Sequence, residues 1–231
     1  MKINIYKYIL VIILLALLPS SSFAEVGFSG DMTAVTTYVW RGIKLNTGPA
    51  LQGTAEGSYG ILTFGFWGSS LNIISDQETE LETDLYASVA LPTGDLSTSL
   101  GTTVYMLDFS HFGPNADAEL ELFANFGYSV LAFNVFYIPD QNSLKENENS
   151  SLYWLELAAT FPLLGADITA QASYGTYSSR WLPEPQKDSA ALGLVSVTKS
   201  VTEEIGMFWT YSFDLDGGFE NIFYFGGSYS F

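Results

Sequence analysis

From residue 28 onward, apolar and polar positions alternate with a period of two, the repeat of a strand whose successive side chains point to opposite faces of a sheet. The cleanest run places Leu81, Thr83, Leu85, Ala87, Val89 and Leu91 on one face and Glu80, Glu82, Asp84, Tyr86 and Ser88 on the other. A second run sets Ala118, Leu120, Leu122, Ala124 and Phe126 against Glu119, Glu121 and Asn125. The last stretch carries Phe223, Phe225, Gly227, Tyr229 and Phe231 on one face and Tyr224, Gly226, Ser228 and Ser230 on the other. The first strand is predicted over residues 28–40, with Phe28, Met32, Ala34, Tyr38 and Trp40 on its apolar side and a polar loop over 42–48. One segment, 190–198, is apolar on both faces, and the pattern does not assign its inside.

About twelve such segments follow one another, and the gaps between them are alternately short and long. Pro92-Thr93-Gly94-Asp95 is a tight turn, whereas residues 108–117 and 139–151 are long polar loops. Strands of roughly ten residues, rising ~3.3 Å each and tilted by ~40°, cover about 25 Å, the height of an outer-membrane apolar band. The apolar face carries almost no charge, as lipid requires, since Lys or Arg at the bilayer midplane costs roughly 2–4 kcal/mol. Ending on an aromatic strand would leave a soluble sheet with an aggregation-prone edge, which closure of a barrel removes. The fold class predicted is all-β, an antiparallel up-and-down transmembrane barrel of about 12 strands, with the C-terminal strand as the element recognised by the barrel-assembly machinery. No segment after residue 24 reads as a helical span.

Residues 1–24 read as a targeting segment rather than part of the fold. Lys2 and Lys7 precede an apolar run over 9–18, and Ser22-Phe23-Ala24 places small residues before a cut at Glu25. The barrel domain is therefore expected over 25–231, exported to a bacterial outer membrane. Removing Lys2 and Lys7, with no acid in the segment, lowers the formal charge from −17 to −19. At that charge nucleic acid is not an expected partner. Cys is absent, so no disulfide framework holds the exported chain.

Tyr38 to Ile43, Pro49 to Gly53, Trp67 to Ser70, Glu80 to Tyr86, Gly101 with Tyr105, and Glu119 to Leu122, in that order, resemble the motifs of the TorF-type porin family, also known as the Gcw_chp domain. Tyr38-Val39-Trp40-Arg41-Gly42-Ile43 resembles its aromatic-Arg-Gly-Ile signature. Pro49-Ala50-Leu51-Gln52-Gly53 is similar to its second-strand start, and Trp67-Gly68-Ser69-Ser70 to its third-strand end. Glu80-Leu81-Glu82-Thr83-Asp84-Leu85-Tyr86 resembles its Glu-x-Asp-x-Tyr strand. Gly101 with Tyr105, then Glu119-Leu120-Glu121-Leu122, follow in the same order. The chain departs from the family at Lys44-Leu45, where Ser-Gln is common, and at Met106, where Pro often follows the tyrosine. The resemblance implies a barrel and a pore, and it gives no substrate.

With both termini on the periplasmic side, Glu80, Glu82, Asp84, Glu119, Glu121 and Glu156 are expected to point inward in the outer half of the barrel. Arg41 is expected inward at the outer end of the first strand. Rings of carboxylates favour cations, so the reading is a porin-like channel for passive diffusion of small solutes, with an acidic vestibule and Arg41 as its basic counterpart. Some of these acids are equally expected to pair with Arg41, Lys44 or Arg180 and stiffen the lumen. The alternative is a non-conducting barrel, structural or binding through loop aromatics such as Phe109, Phe112 and Trp181. Ser110-His111 holds the chain's one histidine and reads as solvated loop rather than a catalytic pair. Neither an enzyme, a metal site nor a cofactor is expected. The expected partners are membrane lipid and small solutes or cations, and the oligomeric state is not readable.

Overall fold

The computed structural model describes residues 25–70, 81–106, 118–139, 151–177 and 189–231. The strands are β1 (Val26–Val35), β2 (Val39–Trp40), β3 (Ile43–Lys44), β4 (Ala50–Tyr59), β5 (Leu62–Ser70), β6 (Leu81–Leu91) and β7 (Ser97–Met106). They continue as β8 (Ala118–Tyr128), β9 (Leu131–Ile138), β10 (Leu152–Leu163), β11 (Ala166–Thr176), β12 (Ser189–Ser200), β13 (Ile205–Asp214) and β14 (Ile222–Ser230). β2 and β3 pair only with each other, and the other twelve strands pair antiparallel with their neighbours, β1 with β14 closing the barrel. The seam runs from Asp31 opposite Ser230 to Val35 opposite Gly226. Closure satisfies the backbone groups of both terminal strands, as a hydrocarbon environment demands.

The outward face is the apolar one. Phe28 is 84 % exposed, Leu157 55 % and Phe223 60 %, within a continuous apolar belt that no soluble monomer would present to water. The turns at the end where the chain starts and finishes are short. Leu164 and Gly165, both at positive φ, make a two-residue hairpin of the primed kind, whose twist matches that of the strands it joins. In β12, the doubly apolar segment, Val195 and Val197 lie outside opposite Tyr211 and Trp209, and Leu192, Leu194 and Ser196 face inward.

One expectation needs correction. The first barrel strand stops at Val35, and Tyr38 and Trp40 do not continue its lipid face. Residues 39–44 instead form a separate hairpin, β2 with β3, paired Val39 to Lys44 and Trp40 to Ile43. Its apolar side chains are buried: Tyr38 is 6 % exposed and Ile43 7 %. A two-stranded hairpin is marginal on its own in water, so this one is held by what it packs against, which is the inner wall of the barrel.

Candidate functional site

The hairpin turns at Arg41 and Gly42, with φ of 48° and 80°, so both central residues are left-handed, the pattern of a type I′ turn. Gly42 supplies its half of that geometry without a side chain, and a Cβ there would collide with the Leu192 side chain on β12. Arg41 takes the same region as an L-residue, a conformation that costs about 1–2 kcal/mol. At the base, Asn46 Oδ1 accepts hydrogen bonds from the Tyr38 backbone N–H at 2.7 Å and from Thr37 Oγ1 at 3.0 Å. Tyr38 N–H, buried and outside any ladder, is thereby satisfied.

What holds the tip is a set of contacts around the barrel. Arg41 Nη2 donates to Glu121 Oε2 at 2.7 Å, between side chains that are 11 % and 2 % exposed. Glu121 Oε1 accepts from the Tyr105 hydroxyl at 2.8 Å, so both carboxylate oxygens are engaged. The guanidinium also lies 4.6 Å from the ring centre of Trp40, 4.7 Å from Phe136 and 5.7 Å from Trp154. Each is within the range of cation–π attraction. The Arg41 carbonyl accepts a hydrogen bond from the Tyr177 hydroxyl. Burial pushes the Tyr177 phenol above its ordinary value and keeps it a donor. Ile43 packs with Trp154, Tyr177, Ala190 and Leu192, and Lys44 reaches Glu220 at 3.6 Å on the exposed rim. Tyr38, on the opposite side, packs against Trp67 at 5.4 Å between ring centres. Burial, reinforced by the carboxylates of Glu82 and Asp84, drives the Tyr38 phenol far above its usual range. The hairpin thus meets walls contributed by β5 through β10 and by β12, and it narrows the lumen at the long-loop end.

The sequence-predicted residues fall as follows. Glu82, Asp84, Glu119, Glu121 and Glu156 all take positions opposite the lipid-facing residues of β6, β8 and β10. Glu80 lies outside the described residues, as do Arg180, Ser110, His111, Phe109, Phe112 and Trp181. Arg41 comes to Glu121 from the tip of the hairpin and not, as the sequence pattern predicts, from the end of the first barrel strand. Glu156 is tied into the wall by Asn134 Nδ2 at 3.1 Å and Trp154 Nε1 at 3.0 Å, so it orients the tryptophan beside Arg41. Glu82 and Asp84 are 4 % and 7 % exposed, and Glu82 Oε2 and Asp84 Oδ1 accept no hydrogen bond.

Asp31 and Glu56 are inward acids that the sequence reading did not name, as are Asp167 and Asp214 at strand ends. Asp31 and Glu56 line a recess of about 450 Å³ with Ser29, Thr54 and Ser230, near the end where the chain terminates. Glu56 accepts from the Tyr86 hydroxyl at 2.8 Å. Both sit opposite apolar residues in their own strands, so the alternation itself could have found them. Together they extend the acidic wall from the hairpin to the recess beside the C-terminal strand. Among the described residues, the only basic side chain inside the lumen is that of Arg41, since Lys44 is at the rim and Lys199 is exposed at the end of β12. No group of three or more acids or histidines among the described residues is placed to hold a metal ion.

Comparison with known proteins places this architecture. The chain matches, over residues 19–219, the family described as "Bacterial protein of unknown function (Gcw_chp)". No curated protein matches it. Among solved structures, it is similar to a KdgM porin in complex with disordered oligogalacturonate. That match has a TM-score of 0.56 and 10 % identity, covering 88 % of this chain and 99 % of the porin. It is similar also to the NanC porin, with a TM-score of 0.54 and 12 % identity over 88 % of this chain and 99 % of that one. At such identities the likeness is one of fold, a twelve-stranded barrel of porin type.

Proposed function

This chain belongs to the bacterial Gcw_chp family and folds as an outer-membrane porin does, and from that premise we propose that it is a channel for passive diffusion of small solutes that favours cations. The observation that carries the reading is the charge of the lumen. Asp31, Glu56, Glu82, Asp84, Glu119, Glu121 and Glu156 face inward, and Arg41, already paired with Glu121, is the only guanidinium beside them among the described residues. Low-dielectric walls lined by one sign of charge raise the local concentration of the opposite sign. Outer-membrane residence is supported by the apolar belt and by the export signal read over residues 1–24. The C-terminal strand β14, paired at the seam, is the segment the barrel-assembly machinery would read.

The KdgM porin is seen with oligogalacturonate, a chain of carboxylates. Such a ligand does not suit this lumen, where it would meet acids with, among the described residues, one guanidinium to offset them. A swelling assay on liposomes containing the refolded protein tests the reading. Small cationic solutes are expected to enter faster than anionic ones of equal size, and equal or reversed rates would overturn the cation preference. One observation favours the second reading, a non-conducting barrel. The hairpin meets most of the wall at the outer end, and complete exclusion of every solute in the same assay would decide for it.

A further inference from the structure

Beside the hairpin lies a chamber of about 530 Å³ whose lining is largely aromatic. Three ring pairs border it. Tyr38 and Trp67 meet at 5.4 Å and 57°, Trp40 and Tyr105 at 6.2 Å and 78°, and Phe208 and Tyr224 at 6.4 Å and 79°. Tilted and edge-on pairs leave ring faces, with their negative quadrupole, open to the space between them. The volume falls within the range of small-molecule pockets.

A single acid, Asp84, stands in this aromatic lining. It is 93 % buried by its 7 % exposure, and its Oδ1 has no hydrogen-bond partner. Glu82, two positions earlier on the same face of β6, also keeps a bare oxygen. The guanidinium that could balance them is committed elsewhere, to Glu121 and to the rings of Trp40, Phe136 and Trp154. The Met106 backbone and the Tyr38 hydroxyl give Asp84 and Glu82 one hydrogen bond each but no balancing charge, which a cation brought in by a ligand would supply.

We propose that this chamber is a binding site for a small organic cation, an ammonium group carrying apolar substituents. Asp84 pairs with its charge, and the rings of Tyr38, Trp67, Phe208 and Tyr224 enclose its alkyl groups through cation–π and apolar contact. Arg41 shows the same chemistry inside the same barrel, a cation held by one carboxylate and three rings. An inorganic divalent ion would want six or more oxygens, which one carboxylate in an aromatic lining does not provide. A neutral saccharide would leave the Asp84 charge unmet. The assignment deepens the cation-favouring reading and rests on its acidic lumen.

The test is equilibrium binding of choline chloride to the refolded full barrel in detergent, followed by tryptophan fluorescence and calorimetry. Sodium chloride at matched ionic strength and glucose serve as controls. Saturable binding of choline alone is expected. Asp84→Asn should weaken it roughly tenfold, the equivalent of about 1.4 kcal/mol. Trp67→Leu should weaken it as well, with each variant's fold checked by heat-modifiable mobility. If Asp84→Asn fails to fold, Trp67→Leu and Phe208→Leu carry the comparison. Absence of saturable choline binding, an equal response to glucose, or unchanged affinity in the folded variants would overturn the site. Single-channel recording on the same preparation separates the two readings. Openings without choline binding remove the chamber site and leave the channel, whereas choline binding without openings keeps the site and removes the channel.

Discussion

Arg41 and Glu121 are 80 residues apart in the chain and meet at 2.7 Å inside the barrel. The contact joins the tip of an inserted hairpin to the wall on which it rests, with Tyr105 holding the second carboxylate oxygen. It makes the aromatic-Arg-Gly-Ile signature intelligible as one device. Trp40 stacks on the guanidinium, Arg41 supplies the charge, Gly42 permits the turn, and Ile43 enters the apolar cluster around Trp154.

Removing one partner leaves the other charge buried and alone. Glu121→Gln and Arg41→Ala are each expected to destabilise the seating of the hairpin by about 3–5 kcal/mol. The barrel itself, whose ladder they do not touch, should remain folded. Single-channel recording should show larger and noisier currents in both variants. Unchanged current with unchanged protease resistance of the hairpin would contradict this account of the latch.

Gly42→Val tests the turn instead of the charge. The substitution forces a β-branched residue to positive φ and drives its Cβ into Leu192. A loss of about 1–3 kcal/mol in local stability is expected. Hydrogen exchange at the Leu45 amide, which donates to the Tyr38 carbonyl at 2.9 Å, is the direct readout and should accelerate.

Asp31→Asn combined with Glu56→Gln removes two inward charges from the recess beside the C-terminal strand. The ratio of cation to anion permeability should fall while conductance persists. Retention of the full ratio would place selectivity entirely at the Glu82, Asp84 and Glu119 end.

The outer belt is tested by Leu157→Arg on β10. Leu157 is 55 % exposed on the lipid face and lies midway along its strand. Arg at the bilayer midplane should cost roughly 2–4 kcal/mol. Refolding into vesicles, monitored by gel mobility, should shift to lower denaturant accordingly. The matched change on the inner face, Ala158→Arg, should be tolerated better.

The barrel was legible because lipid enforces alternation without exceptions. Leu85, Leu157 and Phe223 had to face one way, and their neighbours the other. The hairpin was not legible, because Tyr38 and Trp40 continue the same period of two past the point where the chain leaves the wall. Its turn also lacks the usual Asn-Gly or Asp-Gly cue, with Arg41 in the place of the amide or acid. The same insertion explains why β12 resisted assignment. Leu192 is inward yet apolar because Ile43 covers it, so the contrast between lumen and lipid is lost there. Asp31 and Glu56 alternate with apolar neighbours as clearly as Glu82 does, but each stands singly in its strand, without the run of acids that marks β6 and β8. The pairing of Arg41 with a particular acid depends on how far the hairpin reaches across the lumen, and local pattern does not encode that distance.

Cation-selective conduction through the acidic lumen is the property on which this proposal stands. Its most direct measurement is the reversal potential of single channels, with the refolded chain in a planar bilayer under a potassium chloride gradient. Discrete openings that reverse close to the potassium equilibrium potential are the expected result. Reversal toward the chloride potential, or a folded barrel that never opens, would contradict it.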